Sequence, residues 1–250
     1  MGRWNCPRAG ESHKELTVSR PWRSCRPPAL AAPATAKRAP VVPLSRASIA
    51  EIVQNRTAKL VLLGYITLFL WAAIEPYDRA TWYAENIPIV LIAAGLVVLY
   101  VRGFVFSPLA YVLMSVLLYM HTIGGHYTFE RVPFGFVTNL FGFERNHYDR
   151  VGHFSVGFYA YAIAESVVRT KAVRSRMVLF LFPVFTIAFV AMGYELIEWW
   201  YAATAGGDSG AAFLGSQGDI WDAQKDMLAD TLGAIAATLL FFAVYKPKVV

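Results

Sequence analysis

Residues 177–201 read MVLFLFPVFTIAFVAMGYELIEWWY, with no lysine or arginine and no acid before Glu195. A helix rises about 1.5 Å per residue and a bilayer's hydrocarbon core is roughly 30 Å thick, so a helix over this stretch reaches across it. The apolar positions are continuous rather than alternating, which argues against a membrane strand, where every second side chain faces a polar lumen. The stretch predicts a membrane-crossing helix, with Trp199, Trp200 and Tyr201 as an interfacial belt at one end.

Working outward, five further apolar runs occur at 57–75, 87–101, 108–123, 151–168 and 227–245. Asn86 and the pair Arg102 and Gly103 supply polar breaks between the shorter ones. The whole chain is 56% hydrophobic and only 16% charged, with 17 Phe, 13 Tyr and 7 Trp, a balance foreign to soluble domains and natural in lipid. The expected fold is all-α: a polytopic membrane bundle of about six transmembrane helices within residues 51–250. Residues 1–50 are a basic extension rich in Pro and Ala with no apolar period, for which disorder is expected. They contain no apolar stretch of signal-peptide length, so cleavage as one is not expected. Both cysteines, Cys6 and Cys25, fall in the extension, which removes disulfides and thiolate metal sites from the membrane body.

With six spans, 18 of the 23 Lys and Arg residues fall on one side, which the positive-inside rule makes the cytoplasm. Both termini then lie in the cytoplasm. The net charge of +6 is thereby a topology signal, and the bilayer rather than nucleic acid is the expected partner. Acids are biased the other way: 13 of 17 fall at the outer ends of helices or in outer connections, joined by His121, His126, His147 and His153. Asp149 and His153 are four apart and share a helical face, as do Asp226 and Asp230; Glu195 and Glu198 are three apart. Below them run stripes of small residues, Gly157, Ala160 and Ala164 on one helix and Gly233, Ala234 and Ala237 on another. Such stripes admit a close neighbour, so these faces should meet protein. An Asp left facing lipid costs about 2.5–3.5 kcal/mol on insertion scales, a further reason for the acids and imidazoles to face one another.

Imidazole and carboxylate groups are a ligand set for Zn²⁺ or a similar divalent ion. His121, His126, Asp149, His153, Asp226 and Asp230 are the candidate ligands, with Glu195 and Glu198 as candidate catalytic acid–base groups. No ligand string of the His-Glu-x-x-His kind occurs. The same residues also fit a proton- or cation-coupled transporter, or a satisfied polar network in a non-catalytic scaffold or partner-binding protein. A transport path would need polar groups near the inner ends, where Glu165 is the single candidate.

The strings HTIGGHYT (121–128), VPFG (132–135), RNHYDRVGHF (145–154), GYELIEW (193–199) and GDIWDAQKDMLAD (218–230) resemble the bacterial inner-membrane family of the YjdF type over about residues 57–245. That resemblance implies a multi-pass protein of the bacterial inner (plasma) membrane and names no reaction. A fainter similarity is to VanZ-like membrane proteins, through Glu195 and the run DMLADTLG (226–233), in which Asp230 stands where the pattern has Asn. It would favour a cell-envelope or lipid-related role.

Overall fold

The computed structural model describes residues 56–247, and the expectation of disorder over 1–50 lies outside the described residues. Among the described residues the ordered elements are helices: α1 Arg56–Ala72, α2 Arg79–Val101, α3 Pro108–Tyr127, a 3-10 turn Phe129–Arg131, α4 Gly135–Phe141, α5 Tyr148–Val156, α6 Tyr159–Arg169, α7 Arg176–Ala205, α8 Gly207–Leu214 and α9 Asp222–Tyr245. Four of them, α2, α3, α7 and α9, are long and apolar enough to cross a membrane by length and composition. α1 has 17 residues, while α5 and α6 have 9 and 11 and follow one another almost directly.

Local chemistry sets the helix starts. Asp78 caps α2, its carboxylate accepting the Thr81 N–H at 2.7 Å. Those bonds to Thr81 hold the Asp78 carboxyl below its ordinary value. Ser107 caps α3, and Pro108 fills the first helical position, where a missing N–H costs nothing. Asn86, expected as a polar break, instead lies inside α2. Its amide donates to the Trp82 carbonyl one turn back at 2.8 Å, so the helix absorbs it and begins at Arg79.

The expected helix over 151–168 is divided into α5 and α6. Around Gly157 the backbone tightens to i→i+3 bonds, Phe158 N to Ser155 O at 3.1 Å and Ala160 N to Gly157 O at 3.0 Å. Here α5 crosses α9 so closely that a Cβ on Gly157 would fall on the backbone of Gly233 and Ala234. The two small-residue stripes form this seam: Ala160, Ala164, Ala234 and Ala237 are all buried in it.

α9 packs against α5, α6 and α7; α3 packs against α1, α2, α5 and α6; α8 rests on α7 and α2. On α7 the buried positions Val184, Ile187, Ala191, Glu195 and Glu198 recur at helical spacing, while Phe185, Phe189 and Leu196 are exposed. The exposed surface of the bundle is thus apolar and its buried interior carries the acids, an arrangement suited to lipid. At one end, called here the polar end, lie the start of α2, the end of α3, the start of α5, the end of α7 and the start of α9.

The other end holds Glu165 on α6. Its carboxylate accepts from the Ser107 backbone N–H at 3.0 Å and from the Ser107 hydroxyl at 2.8 Å. Arg169, one turn on, also donates to it at 3.2 Å while lying over the Phe104 ring. Glu165 therefore fixes the α2–α3 connection to α6.

Candidate functional site

The polar end is anchored by loop-to-loop bonds that the sequence does not announce. Asn146 donates to the carbonyls of Glu130 and Val132 at 2.9 and 2.8 Å, and it exchanges hydrogen bonds with the Gln217 side chain. Arg145 donates to Asp222 at 2.7 Å and to the Ser216 carbonyl at 3.0 Å. Arg150 meets the same Asp222 oxygen through one guanidinium nitrogen, while its Nε lies against Asp226. The first turn of α5 is thereby fixed to the first turns of α9. His147, just before α5, has its imidazole pushed below the ordinary value by burial, then by the Arg145 and Arg150 charges.

α5 directs Asp149 and His153 at the face of α9 that carries Asp226 and Asp230. His153 Nδ1 stands 3.2 Å from an Asp230 oxygen, and its Nε2 faces Asp149 at 3.8 Å. Asp149, His153 and Asp226 each offer a ligand atom, all within 4.8 Å of one another. Two donors on one tetrahedral ion at about 2.0–2.2 Å would stand roughly 3.3–3.6 Å apart, so the group would draw in by at most about 1 Å to close on one. Asp230 is 1% exposed, and its second oxygen has no hydrogen-bond partner among the described residues; the same holds for one oxygen of buried Glu195. Glu195 lies in the electrostatic field of His153, Asp226, Asp149 and Asp230, and Glu198 in that of Glu195, His153, Asp149 and Glu85.

Beside this group is a cavity of about 100 Å³. A single water centre needs only about 10–15 Å³, so the space has room for more than one water-sized group. Asp149, His153, Glu198 and Asp230 line it on one side, and Glu85, His121 and Tyr194 on another. Here His121 Nε2 stands 3.0 Å from the Glu85 carboxylate and 3.1 Å from the Glu85 carbonyl, and the Tyr194 hydroxyl donates to that carboxylate at 3.3 Å.

The structure therefore separates the histidines. His121 is engaged by Glu85 and stands in the cavity wall apart from the Asp149, His153 and Asp226 group. His126 lies outside the cavity, with Nδ1 on the Ala72 carbonyl at 3.0 Å and its ring on Trp71, and it ties the end of α3 to α1. Sequence reasoning gave Glu85 no role in the site, and it missed Tyr194, Arg145 and Arg150 entirely. Tyr194 precedes Glu198 by four residues and so shares its face, which was a usable signal. Arg145 lies in the connection before α5 and Arg150 in the first turn of α5, and their partner Asp222 is 77 and 72 positions away, so neither pairing is visible in local spacing.

Comparison with known proteins gives two matches. The family model described as a predicted membrane protein, DUF2238, matches residues 57–247. The Escherichia coli (strain K12) protein named inner membrane protein YjdF is 40% identical over 197 residues, covering 76% of this chain and 92% of that protein. No solved structure matches.

Proposed function

The chain belongs to the DUF2238 family of predicted membrane proteins, and from that premise we propose that it is a metal-dependent enzyme of the inner membrane, hydrolysing lipid or envelope substrates. In this reading the bundle crosses the membrane six times, with both termini in the cytoplasm and the polar end outward. The two crossings beyond the four long helices are α1 and the α5–α6 pair. Support for their direction comes from the basic residues Arg102, Arg169, Lys171, Arg174, Arg176 and Lys246, which all fall at the end opposite the polar end, where Glu165 is the one acid among the described residues.

The observation that carries the proposal is the hydrogen-bonded pair His153 and Asp230. A metal-binding imidazole characteristically gives its other nitrogen to a carboxylate, which fixes ring orientation and tautomer. With Nδ1 on Asp230, His153 presents Nε2 towards Asp149. Asp149, His153 and Asp226 would hold a divalent ion such as Zn²⁺, and Asp230 would orient His153. The donor set fits: the buried carboxyls here outnumber the cations facing them, and oxygens of Glu195 and Asp230 lack partners. Such an ion lowers the pKa of a bound water to about 7 and polarises a substrate oxygen.

In hydrolysis the water oxygen joins the acyl or phosphoryl centre of the substrate. One water proton passes to Glu198 in the cavity wall, with Glu195 behind it. The bond to the departing oxygen breaks as that oxygen takes a proton from His121, which Glu85 and Tyr194 position across the cavity. A carrier reading has less support, because Glu165 at the opposite end is already engaged by Ser107 and Arg169.

The test is metal analysis of the full chain purified in detergent without chelator. About one divalent ion per chain is expected, lost in the Asp149→Asn, His153→Ala double variant. Absence of the ion, or its retention by that folded variant, would overturn the proposal.

A further inference from the structure

The cavity's lower walls are apolar. Pro88, Ile89 and Ile92 on α2 face Leu117 on α3, Val156 on α5, and Val190 and Ala191 on α7. At the polar end it is walled by the rings of Phe129 and Phe213, both buried. α2 and α7 both contribute to the lining, yet among the described residues their backbones make at most marginal contact. They are joined at the top by the bond from the Tyr194 hydroxyl to Glu85. Below that crossbar the wall is not sealed from outside: the lining residues Pro88 and Ile92 on α2 are partly exposed and Val190 on α7 is half exposed. The rim continues into the outer faces of the helices, with Leu91 67% and Phe189 70% exposed.

We infer that the gap between α2 and α7 is a lateral portal that admits one hydrocarbon chain of a membrane lipid, placing the lipid's polar head at the carboxylate and imidazole cluster. The inference rests on the reading of that cluster as the reacting centre, and it names the substrate class. Three observations favour a lipid chain over a water-borne molecule. The aqueous end is covered by two aromatic rings. The opening lies in a surface made of exposed Leu, Val and Phe, which in a bilayer is in contact with acyl chains. The walls change from apolar to ionisable along the cavity, in the order of tail and head in a lipid. An apolar tail displaces loosely held water from Ile89, Leu117 and Ala191, a favourable exchange.

The full chain in vesicles of phosphatidylethanolamine and phosphatidylglycerol, doped with phosphatidylcholine bearing a photoreactive diazirine at mid-chain, tests this directly. After illumination, cross-linked residues are mapped by mass spectrometry. Lipid surrounding the bundle reaches Leu91 and Phe189, whereas Ile89, Leu117 and Ala191 are only 3–4% exposed and are reached through the portal. Labelling at Leu117 or Ile89 is expected, and it should be lost in Ile92→Trp and Val190→Trp while labelling at Phe189 persists. Label confined to the outward faces, or label at Leu117 undiminished in portal variants with an unchanged melting temperature, would overturn the portal. Metal content and labelling measured on the same unsubstituted chain separate the two proposals. Interior label with no metal bound leaves the portal standing without the metal centre, and metal without interior label does the reverse.

Discussion

Glu165 and Asp230 are both acids buried almost completely within the bundle, and their neighbours give them opposite roles. Glu165 has donors for both oxygens from Ser107 and Arg169, so it behaves as a structural clamp. Asp230 has His153 on one oxygen and, among the described residues, no hydrogen-bond partner on the other. The distinction is one of hydrogen-bond accounting, since leaving a buried donor or acceptor unmet costs about 1–3 kcal/mol. Glu165→Ala strips the Ser107 N–H and hydroxyl of their acceptor, so a loss of about 1–3 kcal/mol is expected. A fall in detergent melting temperature with metal content unchanged would confirm the clamp; loss of bound metal with stability intact would contradict it. Neither role was legible in the sequence. Glu165 stood there as a solitary acid near one end, and the partner that satisfies it lies 58 positions away.

At the scale of elements the seam of α5 and α6 with α9 holds the site in register. Gly157 and Gly233 let the two backbones approach until the Phe154 carbonyl lies over Gly233. The tightening at Gly157 ends α5 there and starts α6 two residues later. That crossing fixes the distance from His153 to Asp230, because each residue lies one turn or less from the seam. Gly157→Leu must force the helices apart, and overpacking typically costs about 1–3 kcal/mol, more when backbone is the obstacle. Loss of the folded bundle is expected by size-exclusion and thermal unfolding. Gly193→Ala on α7 is the matched control: an added Cβ meets nothing within 4 Å, so a change within about 1 kcal/mol is expected. Equal behaviour of the two variants would show that the close approach is unimportant. The small-residue stripes were legible from their spacing. The break at Gly157 was not, since one glycine in an apolar run carries no sign of where another helix will cross it.

For the molecule as a whole, the proposed six crossings with both termini inside can be tested by labelling from each side. In a chain with Cys6 and Cys25 replaced by Ser, a cysteine at Glu144 should react with a membrane-impermeant maleimide added to intact cells once the outer membrane is permeabilised. One at Arg174 should react only after lysis. The reverse pattern would invert the proposed orientation, and reaction of both from one side would change the number of crossings.

The sequence by itself determined that this is an all-helical membrane protein with several apolar helices long enough to cross a bilayer, and that acids and imidazoles collect towards one end. Those properties follow from the length of apolar runs and the sign of nearby charges, both local quantities. Only the tertiary structure decided which ionisable groups share a site. It brought Asp149, His153, Asp226 and Asp230 together, assigned His121 to Glu85, and removed His126 to a carbonyl of α1. Helical periodicity gives the face on which a side chain lies, but the partner across the gap depends on helix rotation and crossing. Here those are matched to the close contact at Gly157 and Gly233 and to the ion pairs of Arg145 and Arg150 with the first turns of α9.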